Sequence, residues 1–330
     1  MILLFIQQLA AQQPPPIVNG LPTTNYKSVG MYFGCADTNG QNCWTCSGTL
    51  VNPQWVVTAA HCVEDMNPNG EFFFVVGYSW DQPSDYVEIQ TWMMHEQYNT
   101  NTLENDIALL RLSSPLTSVP TMPVNTDYIN NSWLNRTVSV VGYGITGSNL
   151  EDSGVKRVAD MKIEEVYQNV LLLQDRSQQQ NVCSGDSGGA ALYQLNSGDF
   201  ELIGVNSFTV GECETWEAGI IPVDRYVTWM QNKGVTLNES NDEPDPEPDP
   251  EPDPEPDSEP DSEPSQEPDS DPDQEEGSDQ WVPPLLAEDY ELTNDQTKPM
   301  LCSFGRGFSG SLGLMMLGLV AVGRRAHYNS

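Results

Sequence analysis

Three short segments carry the residue types from which nucleophilic catalysis is built. Thr58-Ala59-Ala60-His61-Cys62 supplies a histidine and Asn105-Asp106-Ile107-Ala108-Leu109 an aspartate. Cys183-Ser184-Gly185-Asp186-Ser187-Gly188-Gly189 supplies a serine set among glycines. A serine hydroxyl is a poor nucleophile at neutral pH and needs a base within hydrogen-bond reach, itself oriented by a third group. One such segment alone is a weak signal. A lone histidine is usually structural, which is the expectation for His95 and His327; a lone aspartate can cap a turn, and a lone serine can sit in any loop. All three, well separated and in the order His, Asp, Ser, point to catalysis by an activated serine.

The elements that must position them are short and apolar. Runs at residues 50–51, 55–57, 72–76, 107–110, 138–141 and 202–205 recur between turn signals, the spacing of an all-β sandwich or barrel. Only residues 224–233 predict a helix, with Tyr226, Val227 and Met230 at i, i+1 and i+4.

Together the three segments resemble the trypsin/chymotrypsin family of serine proteases, over about two-thirds of the chain. The resemblance implies two packed six-stranded antiparallel β-barrels with a C-terminal helix and the site in the cleft between them. His61 and Asp106 would come from the first barrel and Ser187 from the second. Ser187 would attack the scissile carbonyl, His61 would take its proton and pass it to the leaving amine, and Asp106 would hold the histidine tautomer. The backbone N–H groups of Gly185 and Ser187 would face the developing oxyanion, and glycine at 185 admits the backbone shape this needs. No metal or cofactor is needed for this chemistry.

The same resemblance makes Ile17-Val18-Asn19-Gly20 the mature start, whose freed amino group would pair with Asp186. Pro14-Pro15-Pro16 stand where the family usually carries Arg or Lys, so activation by another processing enzyme is expected. Cys46–Cys62 and Cys183–Cys213 are the implied disulfides, and Cys35 and Cys43 could bridge an extra loop. Asn181 falls at the floor of the primary specificity pocket, where trypsins carry Asp, so Arg/Lys preference is not expected. Ser207-Phe208-Thr209 match the strand that pairs with substrate backbone. Thr209 would narrow one pocket wall and Gly219 would line the opposite one, favouring a small or uncharged polar residue before the cut.

Charge narrows the remaining classes. The formal net charge is -35, and 24 of the 48 acidic residues lie between Glu239 and Asp295. Nothing in the sequence neutralises phosphates in a patch, so nucleic acid is not an expected partner. The C-x-x-C of Cys43 and Cys46 lacks the second pair that a zinc site requires, and the cysteine set as a whole implies an oxidising compartment.

The expected organisation has five parts. Residues 1–11 read as a signal peptide without its basic start, 12–16 as a short propeptide and 17–235 as the protease domain. Residues 236–300 form an acidic Pro-rich linker with almost nothing apolar to bury. Residues 301–330 form a hydrophobic tail closed by Arg324 and Arg325, a sorting signal or anchor. The tail resembles bacterial C-terminal sorting signals. Residues 305–310 are similar to the GlyGly type cut by a rhombosortase, and Cys302 to the myxobacterial type processed at a cysteine. The protein is therefore expected to be exported, secreted or tethered to the cell surface. Its expected partners are protein or peptide substrates, a membrane met through the tail, and a sorting protease.

Overall fold

The computed structural model describes residues 17–238 apart from 41 and 216. The signal peptide, the propeptide, the tail and nearly all of the linker expected from the sequence lie outside the described residues.

A two-residue strand β1 (Leu21–Pro22) leads into β2 (Val29–Cys35), β3 (Cys43–Asn52), β4 (Trp55–Thr58), β5 (Phe73–Ser79), β6 (Gln82–Met94) and β7 (Ala108–Leu112). Strands β2 to β7 close a barrel in the order β2-β3-β4-β7-β6-β5, with β5 returning to β2 through Gly30 and Val76. Its interior is filled by apolar side chains that include Val29, Met31, Leu50, Val56, Phe74, Leu110 and Leu112.

The second barrel comprises β8 (Thr137–Gly142), β9 (Arg157–Val166), β10 (Leu171–Gln174), β11 (Ala190–Gln194), β12 (Phe200–Thr209) and β13 (Glu217–Pro222). The order is β9-β10-β13-β12-β11-β8, and pairing of β8 with β9 closes it. Strand β9 shows why this sequence makes a half-buried strand. Ala159, Met161 and Ile163 face the core while Asp160, Lys162 and Glu164 face out, the period-two alternation of a pleated strand. Ile17 is fully buried in this second core, among Val138, Val140, Met161 and Ile220, a burial that contributes about 1.5–3 kcal/mol.

Two barrels and a terminal helix are the fold that the resemblance implied. The helix differs in detail. Residues 223–226 form a 3-10 turn, and only Val227–Asn232 are α-helical (α1). The first turn is held by tertiary contacts: Asp224 Oδ2 accepts the Ile129 N–H at 3.1 Å, and Arg225 donates to the Ile129 and Gln168 carbonyls. The helix ends where Gly234 adopts φ +90°. There Gly234 N–H reaches the Gln231 carbonyl and Val235 N–H the Met230 carbonyl, a glycine-terminated cap.

Three disulfides are formed: Cys46–Cys62, Cys183–Cys213 and Cys35–Cys43. The last joins direct cross-strand partners at the end of the β2–β3 hairpin. Cys46–Cys62 spans 16 residues, worth about 3 kcal/mol by loop-closure entropy, and ties β3 to the turn bearing His61. Strand β2 packs on β8 and β3 on β11, so the ends of both barrels that carry the candidate residues face each other.

Candidate active site

His61 lies in the turn that follows β4, and Asp106 lies two residues before β7. Their strands are neighbours, with Thr58 paired to Ala108, which brings the two side chains together. His61 Nδ1 is 2.7 Å from Asp106 Oδ2, and the His61 backbone N–H donates to Asp106 Oδ1 at 2.8 Å. An ionised carboxylate only accepts, so Nδ1 carries the proton and Nε2 is left with its lone pair. Asp106 is wholly buried, and a third donor, the Ser207 hydroxyl, reaches Oδ2 at 2.5 Å. A carboxylate out of water is costly unless its oxygens are satisfied in this way.

Ser187 comes from the other barrel, in the loop before β11. Gly185 and Gly188 adopt φ +95° and +78° there, a region that L side chains rarely enter. A Cβ on Gly188 would stand 2.0 Å from Thr58 Oγ1, and one on Gly185 2.9 Å from Gly144 Cα. The loop thus needs glycine for close approach as well as for conformation. The Ser187 hydroxyl is buried and has no hydrogen-bond partner among the described residues. Nor does any hydrogen bond of the described residues use the N–H of Gly185 or of Ser187.

Asp186 points inward. Its Oδ1 accepts Gly144 N–H at 2.7 Å and its Oδ2 accepts Cys183 N–H at 2.9 Å. Burial pushes this carboxyl up to about 7, against the pull of those two donors. Gly142 and Gly144 leave the space it occupies, since a Cβ on either would lie within 2.7 Å of its carboxylate. Ile17 is buried in the second core, and Val18 pairs its backbone with Asn181, N to O, at 2.9 and 3.3 Å.

Asn181 is fully buried and fully engaged. Its Nδ2 donates to the carbonyls of Cys213 at 3.0 Å and Glu217 at 3.4 Å, and its Oδ1 accepts Val182 N–H at 3.0 Å. The Thr209 hydroxyl donates to the Gly211 carbonyl. Thr209 is opposite Ala218, whereas Gly219 is opposite Phe208, and directly opposed residues share a face. A Cβ on Gly219 would meet the Phe208 ring at 2.1 Å. Gly219 therefore makes room for Phe208, and Ala218 is the residue across from Thr209.

Several contributors were assigned no role from the sequence. Ser47 joins the barrels: its N–H donates to the Ser187 carbonyl, its hydroxyl to the Gly185 carbonyl, and Tyr143 N–H donates to that hydroxyl. Glu214 accepts both the N–H and the hydroxyl of Ser148, at 2.9 and 2.5 Å, tying the loop after Gly144 to the loop of Cys213. Cys46, His61 and Cys62 cluster closely enough for a metal ion, but both cysteines are consumed in their disulfide and offer no thiolate.

Comparison with known proteins follows the same span of chain. The family model described as Trypsin matches residues 17–230. The chain is 30% identical over 204 residues to serine protease 1 of Canis lupus familiaris, covering 56% of this chain and 78% of the relative. It is 31% identical over 204 residues to cationic trypsin-3 of Rattus norvegicus, with the same shares of 56% and 78%. It is 25% identical over 230 residues to chymotrypsin of Phaedon cochleariae, covering 65% and 81%. Among solved structures, HL collagenase aligns with a TM-score of 0.56 at 24% identity, over 67% of this chain and all of that one, a likeness of fold.

Proposed function

Because the chain belongs to the trypsin family, matched over residues 17–230, we propose that it is an exported serine endopeptidase acting through His61, Asp106 and Ser187. The single observation that carries this reading is the oriented base. His61 Nδ1 is bound to a buried Asp106 at 2.7 Å, leaving Nε2 as the proton acceptor for a serine presented by the other barrel.

Ser187 Oγ adds to the carbonyl carbon of the scissile bond while His61 Nε2 takes its proton. Asp106 balances the imidazolium that forms. The carbonyl oxygen becomes an oxyanion, met by the N–H groups of Gly185 and Ser187, where one such donor is worth about 3 kcal/mol. His61 then protonates the amine as the C–N bond breaks, leaving an acyl-serine. Water attacks the ester with His61 again as base, releasing the new carboxylate and regenerating the serine.

The primary specificity is read as small or uncharged. Asn181 presents no carboxylate to pair a bound Arg or Lys, and Thr209 and Gly219 are read as opposite walls of the pocket. Ile17 and Asp186 are read as the activation pair. The three disulfides support export. The acidic stretch of residues 236–300 and the apolar tail of 301–330 are read as a stalk and a sorting or anchoring signal.

The test is covalent labelling of the exported protein, shown to begin at Ile17, with a fluorophosphonate, against Ser187→Ala. Labelling confined to the wild type establishes an activated serine. Absence of labelling in correctly processed protein rejects catalysis and leaves a surface-binding module.

A further inference from the structure

The chain that leaves the second barrel after β13 crosses back to the first barrel and ends beside the candidate carboxylate. Tyr226, almost fully buried, donates its hydroxyl to Asn105 Oδ1 at 3.1 Å across 121 residues of sequence. Asn105 immediately precedes Asp106 and sits at φ +54°, a left-handed conformation that asparagine tolerates better than most residues. Its Nδ2 donates to the Gln97 carbonyl at 3.0 Å, and its own carbonyl accepts Ile107 N–H at 2.7 Å. Both faces of the Asn105 amide are therefore anchored, one to the first barrel and one to Tyr226, and the tight turn so held contains Asp106.

Tyr226 is itself fixed. His95 packs edge-on against it at 5.3 Å and against Trp229 at 5.2 Å. Trp229 Nε1 donates to Glu96 at 2.9 Å, and Lys233 pairs with the same carboxylate. Burial holds the Tyr226 phenol protonated, and the negative charge of Asp106 adds to that effect, which places the hydroxyl within the field of that carboxylate.

We propose that Tyr226 is a positioning residue for Asp106, acting through Asn105, so that the C-terminal segment of the second barrel aligns the His61–Asp106 pair in the first. The inference rests on the reading of Asp106 as the group that orients His61. Replacing Tyr226 by Phe keeps the ring among His95 and the helix but leaves Asn105 Oδ1 without its donor. The loss falls on alignment of the base and spares the substrate pocket.

The experiment compares Tyr226→Phe, Asn105→Gly and their double variant in the full chain, using a peptide substrate that the wild type cleaves. Glycine keeps the left-handed backbone at 105 while removing both side-chain bonds. Tyr226→Phe should lower kcat about tenfold with KM changed less than about twofold, and should shift the pH profile of kcat/KM. The double variant should be no worse than Asn105→Gly alone, because both act through one link. A kcat within about twofold of wild type with an unchanged pH profile, or fully additive losses, would overturn the proposal. Asp106→Asn separates the two failures. If it leaves kcat intact, the reading of Asp106 fails; if it abolishes kcat while Tyr226→Phe does nothing, only the role of Tyr226 fails.

Discussion

Ser207 and Asp106, 101 residues apart, share a hydrogen bond of 2.5 Å on the same carboxylate oxygen that holds His61 Nδ1. The sequence marks Ser207 as a residue that pairs with substrate through its backbone, whereas its hydroxyl serves the carboxylate. Hydrogen bonds to a buried charge are short and strong. Ser207→Ala should therefore lower kcat/KM about tenfold through kcat, leaving KM nearly unchanged. Steady-state kinetics on one peptide substrate checks this; a change confined to KM would contradict it.

Both Nδ2 donors of Asn181 are engaged. Asp in its place would turn a carboxylate oxygen toward the carbonyls of Cys213 and Glu217, which now accept the Nδ2 donors. Asn181→Asp should cost about 2 kcal/mol of stability and create little cleavage after Arg. Thermal unfolding, with kcat/KM on Arg and Ala substrates, measures both. Efficient cleavage after Arg by the wild type would defeat the specificity reading outright.

The register of β12 on β13 separates two neighbouring substitutions. Thr209→Gly removes a wall side chain across from Ala218 and should raise activity on larger apolar residues relative to Ala. Gly219→Ala drives a methyl into Phe208 and should cost about 1–3 kcal/mol by overpacking without that gain. A panel of substrates varying the residue before the cut, alongside melting curves, tells them apart.

Asp186 gives a pH signature. Burial raises its pKa from 3.8 to about 7, so the folded chain binds this proton more tightly than the unfolded one. The resulting stability is present below about pH 4 and is lost as pH rises through about 7. Protein blocked ahead of Ile17 should lose Tm across that window, and Asp186→Asn should flatten the slope. Protein with a free Ile17 amino group should show less of it, because a paired ammonium favours the ionised carboxylate. Calorimetry of the three forms at several pH values is the check.

His95 predicts a slope of the opposite sign. Burial lowers its pKa below 6.5, and its Nδ1 accepts the Gln97 N–H, which requires the neutral ring. The unfolded chain then binds the proton more tightly, so this contribution is present above pH 6.5 and is lost as pH falls through the depressed value. Glu96 opposes the shift and Lys233 adds to it. His95→Phe, which keeps the packing against Tyr226 and Trp229, should reduce the acid-side fall in Tm.

Much of the fold was legible because its determinants are local. The apolar runs at residues 55–57, 138–141 and 202–205 fall within β4, β8 and β12, because a strand buried on both faces is apolar without a break. The glycines at 185 and 188 stand where the backbone turns left-handed, and the segments bearing His61, Asp106 and Ser187 are short because each needs one defined loop shape. The cross-strand partners of Thr209 and Gly219 were not legible, because the ladder shifts register between Asn206 and Phe208, and one extra residue in a strand moves every later partner by one place.

By itself, then, the sequence determined the residue types, their order, the short apolar runs of an all-β fold and the glycines that the loops require, since all of these follow from neighbours along the chain. Tertiary structure alone decided that Ser207 serves Asp106, that Ser47 joins the nucleophile loop to the first barrel, that Glu214 holds Ser148 and that Tyr226 reaches Asn105. Each of these bonds uses a side chain with no local signature. A serine or a tyrosine becomes a partner only when two closed barrels bring distant strands within about 3 Å, where a buried donor must find an acceptor.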